Sequence, residues 1–203
     1  MGCFIEKDLI DKTIAFHGHQ CPGLVIGIRA AELALKRLPD AKGKDLVAVV
    51  ETDMCGVDAI QFLAGCTFGK GNLIHKDFGK MAFSFYDRSQ GISFRILFLP
   101  DISGDLGSEL RSLMKKTGDG TANEQEQARI QKLRDELQER YMTADLEKMF
   151  IVTEAPMPAP KPARILQSLR CEACGEMTME SRTRRFGGKT LCLPCFERVE
   201  QKV

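Results

Sequence analysis

Apolar residues recur at helical spacing near the start of the chain. Leu24, Ile28, Leu35 and Leu38 lie three, four or seven positions apart, and Pro39 follows them directly. This spacing places them on one face of an α-helix. A shorter pattern over residues 5–16 predicts an opening helix. We therefore expect two helices on either side of the segment 17–22.

Further along, the pattern changes from helical to strand-like and back. Residues 45–52 form a continuous β-branched run, which is typical of a buried strand, and residues 81–87 and 92–99 alternate with aromatic and β-branched side chains. The RSQG between these last two segments predicts a hairpin. Helical spacing is found over 57–63 and again over 103–150, interrupted by the glycine-rich segment 117–124, and we expect Pro100 to end the sheet. The predicted fold class is α+β, with an antiparallel or mixed sheet and flanking helices.

A proline-rich stretch divides the chain. Pro156, Pro158, Pro160 and Pro162 alternate with other residues, and this alternation favours extended polyproline II because proline cannot continue a helix or pair in a central strand. The sequence predicts a core over residues 1–153, a linker over 154–165 and a small zinc ribbon over 166–203. From residue 160 onward nine Lys/Arg face five Asp/Glu, so the last module is basic.

Composition and charge narrow the function classes. Hydrophobic residues make up 43% of the chain and charged residues 28%, which is close to the average of soluble globular proteins. No apolar run of about 18 residues is present to span a bilayer, and the N-terminal MGCFIEKDLIDK lacks the apolar stretch of a secretory signal. We expect a cytoplasmic protein without membrane contact, and the net charge of +1 gives no argument for nucleic-acid binding.

Half of the eight cysteines form a pattern typical of zinc. Two Cys-x2-Cys pairs are separated by seventeen residues that include a polar hairpin with two glycines. Such pairs place four thiolates around one tetrahedral ion, and the module has too few large apolar side chains to fold without it. A pair of redox dithiols is the alternative, and we favour zinc because the βαβ context of a redox dithiol is missing. The predicted ligands are Cys171, Cys174, Cys192 and Cys195.

A second concentration of metal-binding side chains lies in FHGHQCPG, residues 16–23. In an extended segment His17, His19 and Cys21 would face the same side. Pro22 places Cys21 at the N-cap of the following helix, where unpaired amides and the helix dipole stabilise a thiolate. Cys55 follows the buried strand over 45–52, and we expect it to approach Cys21. The sequence identifies neither Cys66 nor His75 as a site residue: Cys66 is predicted to be buried, and His75 to be an ordinary surface or strand histidine.

Three segments together resemble the E-subunit family of formylmethanofuran dehydrogenase: FHGHQCPGL, ETDMCGVDAIQ and GCTFGKGNL. The resemblance covers roughly residues 10–150, and many members of that family also carry a zinc ribbon. It implies an α+β core, homodimers that exchange elements between protomers, and a Cys/His pocket that serves as a metal or catalytic site. The family name comes from association with the molybdenum or tungsten enzyme that reduces carbon dioxide onto methanofuran.

Two functions of different classes follow from these observations. The first is a metal-binding protein with Zn²⁺ in the ribbon and a second ion, zinc or another transition metal, in the core. Its core ligands would be His17, His19, Cys21 and Cys55, and the catalytic group Cys21, His19 and Cys55, acting in or beside a molybdenum or tungsten oxidoreductase of one-carbon metabolism. The second is a binding module that docks a protein or nucleic acid through the basic ribbon. Because Arg182, Arg184 and Arg185 are expected to form a solvated face, we favour a homodimer and a redox-enzyme partner over nucleic acid.

Overall fold

The chain divides into two compact units. A computed structural model describes residues 2–41 and 43–200. The first unit ends at Pro162 and the second begins at Ala163. This division falls within the segment 154–165 for which the sequence predicts a linker.

The first unit contains six helices and five strands among the residues that the structure describes. Its helices are α1 (Lys7–His17), α2 (Pro22–Arg37), α3 (Gly56–Leu63), α4 (Gly104–Gly118), α5 (Glu124–Thr143) and α6 (Leu146–Met149). Its strands are β1 (Leu46–Val50), β2 (Leu73–His75), β3 (Ala82–Asp87), β4 (Ile92–Phe98) and β5 (Phe150–Thr153), and a 3-10 turn covers Pro100–Ser103.

The five strands form one mixed sheet in the order β2-β1-β3-β4-β5. Strands β1 and β2 are parallel and are connected through α3, whereas β1–β3, β3–β4 and β4–β5 are antiparallel. The predicted α+β class, with a mixed sheet, is therefore confirmed. The β3–β4 hairpin is also found where the sequence predicts it, with Phe85 opposite Phe94.

The two faces of the sheet have different surroundings. Alternate strand residues such as Ala48, Phe83, Phe85 and Ile96 form the inner face, and these four are fully buried against helices that include α2 and α5. The outer face carries a smaller apolar cluster of Val47, Val49 and Tyr86, with Ile74 and Ala155 packed against it. Burial of the inner face against helices accounts for most of the hydrophobic core.

Two helices cross at a pair of glycines, and this crossing positions the site described below. A Cβ atom added at Gly27 of α2 would lie 2.2 Å from the carbonyl oxygen of Gly56 in α3. Only glycine allows this approach, because a methyl group would overlap the facing backbone. The first turns of α2 and α3 are consequently brought side by side.

The prediction that Pro100 ends the sheet is wrong. Pro100 does end β4 and starts the 3-10 turn, but the chain returns after α6 as β5, whose Phe150 pairs with Phe98. Strand β2, with three residues, was also not predicted. Both strands are too short to show a period of two, and both depend on pairing with residues far away in the sequence.

The second unit is built from two hairpins and a short helix. Strands β6 (Ser168–Arg170) and β7 (Met177–Met179) pair with each other, as do β8 (Thr183–Phe186) and β9 (Lys189–Cys192), and α7 (Leu193–Glu197) follows. Its buried cluster consists of Leu191 and three cysteines, with Phe196 packed beside them. In the described parts of both units, none of the helices combines the length and the hydropathy that a transmembrane span requires.

Candidate metal centre

Four side chains from three places in the core converge on one point. His17 is the last residue of α1, His19 lies in the turn that follows, Cys21 is the N-cap of α2 and Cys55 is the N-cap of α3. One ligand atom from each lies within 4.8 Å of the ligand atoms of the others. His19 is exposed, and the other three are partly buried. Two imidazoles and two thiols at this separation form a donor set that suits zinc.

The local route to this arrangement differs from the predicted extended segment. His17 belongs to a helix, and Gly18, with φ of 90°, ends that helix in the left-handed conformation while its N–H donates to the Ile14 carbonyl. The expectation that alternate residues of a strand would bring His17, His19 and Cys21 together is therefore wrong in its geometry. Convergence comes from a helix end, a glycine turn and a helix start.

The predicted N-cap position of Cys21 is confirmed. Its Sγ accepts a hydrogen bond from the Leu24 backbone N–H at 3.4 Å, and Pro22 occupies the first helical position. Cys55 stands at the start of α3, so both thiols lie at the positive ends of helices, where negative charge is favoured. Burial raises the pKa of Cys55, and the neighbouring Cys21 thiol raises it further. Two thiolates this close repel each other, and a bound cation removes that repulsion.

Asp58 holds one histidine in place. The His17 Nδ1–H donates to Asp58 Oδ2 at 2.7 Å, and Gln61 Nε2 donates to the other carboxylate oxygen at 3.0 Å. With Nδ1 engaged, His17 Nε2 faces Cys21 Sγ at 4.0 Å. A carboxylate behind a histidine ligand sets its tautomer and orientation in many metal sites. Sequence reasoning missed Asp58, although its position three residues after Cys55, in the first turn of α3, was a usable signal.

A cavity adjoins the cluster on the other side of Asp58. It has a volume of about 250 Å³ and lies where the parallel strands β1 and β2 end, a location where ligands bind in many α/β sheets. His75 lies at the end of β2 and lines this cavity, so the third histidine of the chain is also near the cluster. The other lining residues are Val50, Thr52, Asp53, Val57, Asp58, Gln61 and Phe68.

The four C-terminal cysteines also converge. Their Sγ atoms lie within 4.8 Å of one another, as the sequence predicts. Backbone amides, first that of Cys174 and then that of Cys192, lower the pKa of Cys171 to about 6. Hydrogen bonding from Cys192 and burial raise the pKa of Cys195 to about 12. The unit is thus prepared to hold one thiolate by itself, and a metal ion is needed to ionise all four thiols.

The two clusters and the α+β core define a protein with Cys/His metal-binding groups and a separate zinc-finger unit. The sequence profile described as "FmdE, Molybdenum formylmethanofuran dehydrogenase operon" matches residues 16–151. The chain therefore belongs to the FmdE family. A second profile, described as "Prokaryotic dksA/traR C4-type zinc finger", matches residues 164–201.

Individual proteins agree with this assignment. The crystal structure of an FmdE-like protein of tungsten formylmethanofuran dehydrogenase type from Syntrophus aciditrophicus is 27% identical, with a TM-score of 0.65, over 95% of this chain and 92% of that chain. A "Probable S-adenosyl-L-methionine-binding protein" of Archaeoglobus fulgidus is 29% identical over 195 residues, which are 92% of this chain. The chain spans about half the length of that relative, 52%.

Proposed function

We propose that the core cluster binds one transition-metal ion, with zinc as the leading candidate, through His17, His19, Cys21 and Cys55. The observation that carries this proposal is the convergence of the four ligand atoms within 4.8 Å from separate elements. The Asp58 carboxylate behind His17 supports it, because such a contact orients the ring toward a metal. A second ion, bound by Cys171, Cys174, Cys192 and Cys195, would stabilise the C-terminal unit.

The accessibility of the core site favours a reactive metal over a purely structural one. His19 is exposed, so it is the ligand that an incoming molecule can displace most easily, and the cavity of about 250 Å³ ends at Asp58. A zinc ion with an exchangeable position supplies Lewis acidity to a bound substrate. In this proposal Cys21, Cys55 and His19 contact the reacting centre, and Asp58 positions His17.

For the biological role we propose that this site acts in, or as an accessory to, a molybdenum or tungsten oxidoreductase of one-carbon metabolism. The names of the family and of the Syntrophus aciditrophicus protein support this choice. The partner would be a redox enzyme, and the chain itself would form a homodimer. Exposed apolar side chains next to the ligands, Phe16 beside His17 and Met54 beside Cys55, support an interface near the site.

The archaeal relative suggests a different ligand, S-adenosyl-L-methionine. Because the match covers 52% of that protein, its name can refer to the half that this chain lacks. We therefore do not extend S-adenosyl-L-methionine binding to this chain, and titration with that compound provides a direct check. The rival function, docking of a protein or nucleic acid through the basic ribbon, has no observation in its favour beyond charge.

Elemental analysis of two lengths of the chain tests the core site. The full chain should bind about two metal ions per chain, and a version ending at Pro162 should retain about one. Cys21→Ser in the shorter version should remove that ion. Cys66→Ser is the matched control, because Cys66 is buried outside the cluster and should leave the metal content unchanged. A truncated, folded chain without metal would overturn the proposal and favour the binding module.

A further inference from the structure

The outer face of the sheet is covered by the proline-rich segment, and a cavity remains between them. We call residues 155–160 the strap. Ala155 packs on the outer apolar cluster, and the carbonyl of Pro160 accepts a hydrogen bond of 2.8 Å from Arg88 Nε. The strap is therefore anchored to the sheet near both of its ends. This cavity lies in the first unit and is not lined by any of the four ligands of the core cluster.

The size and the walls of the cavity match one planar ring. Its volume is about 160 Å³, close to the roughly 150 Å³ of a dry protein cavity that accommodates benzene. Val49, Ile74 and Tyr86 form the sheet side, and three proline rings form the strap side. Larger ligands need cavities of about 300 Å³ or more. Apolar walls of this kind favour a single aromatic ring over a nucleotide or a sugar.

The charges at the cavity favour an anionic substituent on that ring. Glu51 lines the cavity, but both of its carboxylate oxygens accept hydrogen bonds from Arg95, at 2.6 and 2.8 Å. Lys76 also lines it, and its ammonium contacts the Met157 thioether sulfur, with no carboxylate partner among the described residues. A thioether is a weak acceptor. The positive charge of Lys76 is thus left without a neutralising partner, whereas the negative charge of Glu51 is neutralised.

We propose that the cavity under the strap binds a small aromatic carboxylate, with the ring between Tyr86 and the strap prolines and the carboxylate on Lys76. The Tyr86 hydroxyl and Ser84 lie on the same wall and offer further hydrogen bonds. This site is separate from the proposed metal centre and does not depend on it. Its occupation would add contacts that hold the strap on the sheet.

The test uses benzoate as the probe and the full, zinc-loaded chain. Titration calorimetry and the methyl NMR signals of Val49 and Ile74 should report binding of benzoate, weaker binding of benzyl alcohol and none of benzylamine. Lys76→Met should weaken benzoate binding about five- to tenfold, which corresponds to the loss of one partly exposed ion pair. Lys80→Met is the matched control, because Lys80 is exposed nearby and does not line the cavity.

A filling variant shows whether the cavity itself is the site. Val49→Phe places a ring where the ligand ring is expected, and it should abolish benzoate binding while metal content and the circular dichroism spectrum stay unchanged. If that variant does not fold, Met157→Trp on the strap fills the cavity from the other side. Benzoate binding that survives a folded filling variant overturns the proposal. Equal binding of benzylamine, or a dimer that the filling variant loses while benzoate never binds, also overturns it.

Discussion

The two cysteine clusters of this chain are alike in geometry and differ in what surrounds them. The core cluster stands at the ends of three helices that pack against a sheet with many fully buried side chains. The C-terminal cluster is itself most of its unit's buried interior, with Leu191 as the only fully apolar side chain among the buried residues described there. The difference indicates that metal is needed for folding at the second site, and that the first site is free to use its metal for chemistry.

Removal of one C-terminal ligand should give the largest effect. Cys171→Ala is expected to unfold residues 163–200, because structural zinc contributes about 10–16 kcal/mol of apparent binding free energy in small modules. Proteolysis followed by mass spectrometry should show cleavage confined to this unit, with the melting of the first unit unchanged. Cys66→Ala serves as the control. Loss of cooperative melting in the first unit would show that the two units depend on each other and would weaken the comparison.

The helix crossing provides the next largest effect, this time in the core. Gly27→Ala forces a methyl group to within 2.2 Å of the Gly56 carbonyl oxygen, and we expect a loss of about 3 kcal/mol in the free energy of unfolding. Because α2 and α3 must separate, Cys21 and Cys55 should also move apart and the core metal should be lost. Urea unfolding and metal analysis measure both outcomes.

Gly118→Ala is the matched control for the crossing. It lies in α4 with nothing within 4 Å of an added Cβ, so the exchange should stabilise the chain by about 0.5 kcal/mol or leave it unchanged. If Gly27→Ala is as well tolerated as Gly118→Ala, the close contact of α2 and α3 does not determine the site.

A smaller effect is expected behind His17. Asp58→Asn keeps the shape of the side chain but weakens its hold on the ring, and changes at such positions typically reduce metal affinity about 10- to 100-fold. Competition with a chelator should detect this loss at the core site only. Asp53→Asn is the control, since Asp53 lies in the adjoining cavity and outside the four-ligand cluster. Equal effects of the two variants would indicate a general charge effect instead of a positioning role.

Thiol reactivity gives the smallest and most local test. Burial raises the pKa of Cys66 to about 12, so its thiolate fraction is very low at about pH 8 and alkylation should be negligible. After chelation, Cys21 is expected to react first, because it is partly exposed at a helix start. Mass spectrometry of the alkylated peptides distinguishes them. Protection of Cys21 both with and without chelator would contradict an accessible core site.

Much of the fold could be predicted because its main elements have local signals. The spacing of Leu24, Ile28 and Leu35 predicts a helix up to about Pro39, and α2 ends at Arg37. The β-branched run over 45–52 contains β1, which is buried at every position. Strands β2 and β5 have three and four residues, and only their pairing with β1 and β4 makes them strands.

By itself the sequence determined which residue types are available for chemistry and roughly where the helices around them begin. The Cys-x2-Cys pairs and the Cys21-Pro22 helix start are local features, since a few neighbouring residues suffice to produce them. Tertiary structure alone decided that Cys55 and Asp58 join His17, because the contact of Gly27 with Gly56 lies between distant parts of the chain. It also decided that the strap lies on the sheet, since apolar burial is not directional and no local pattern specifies the partner surface.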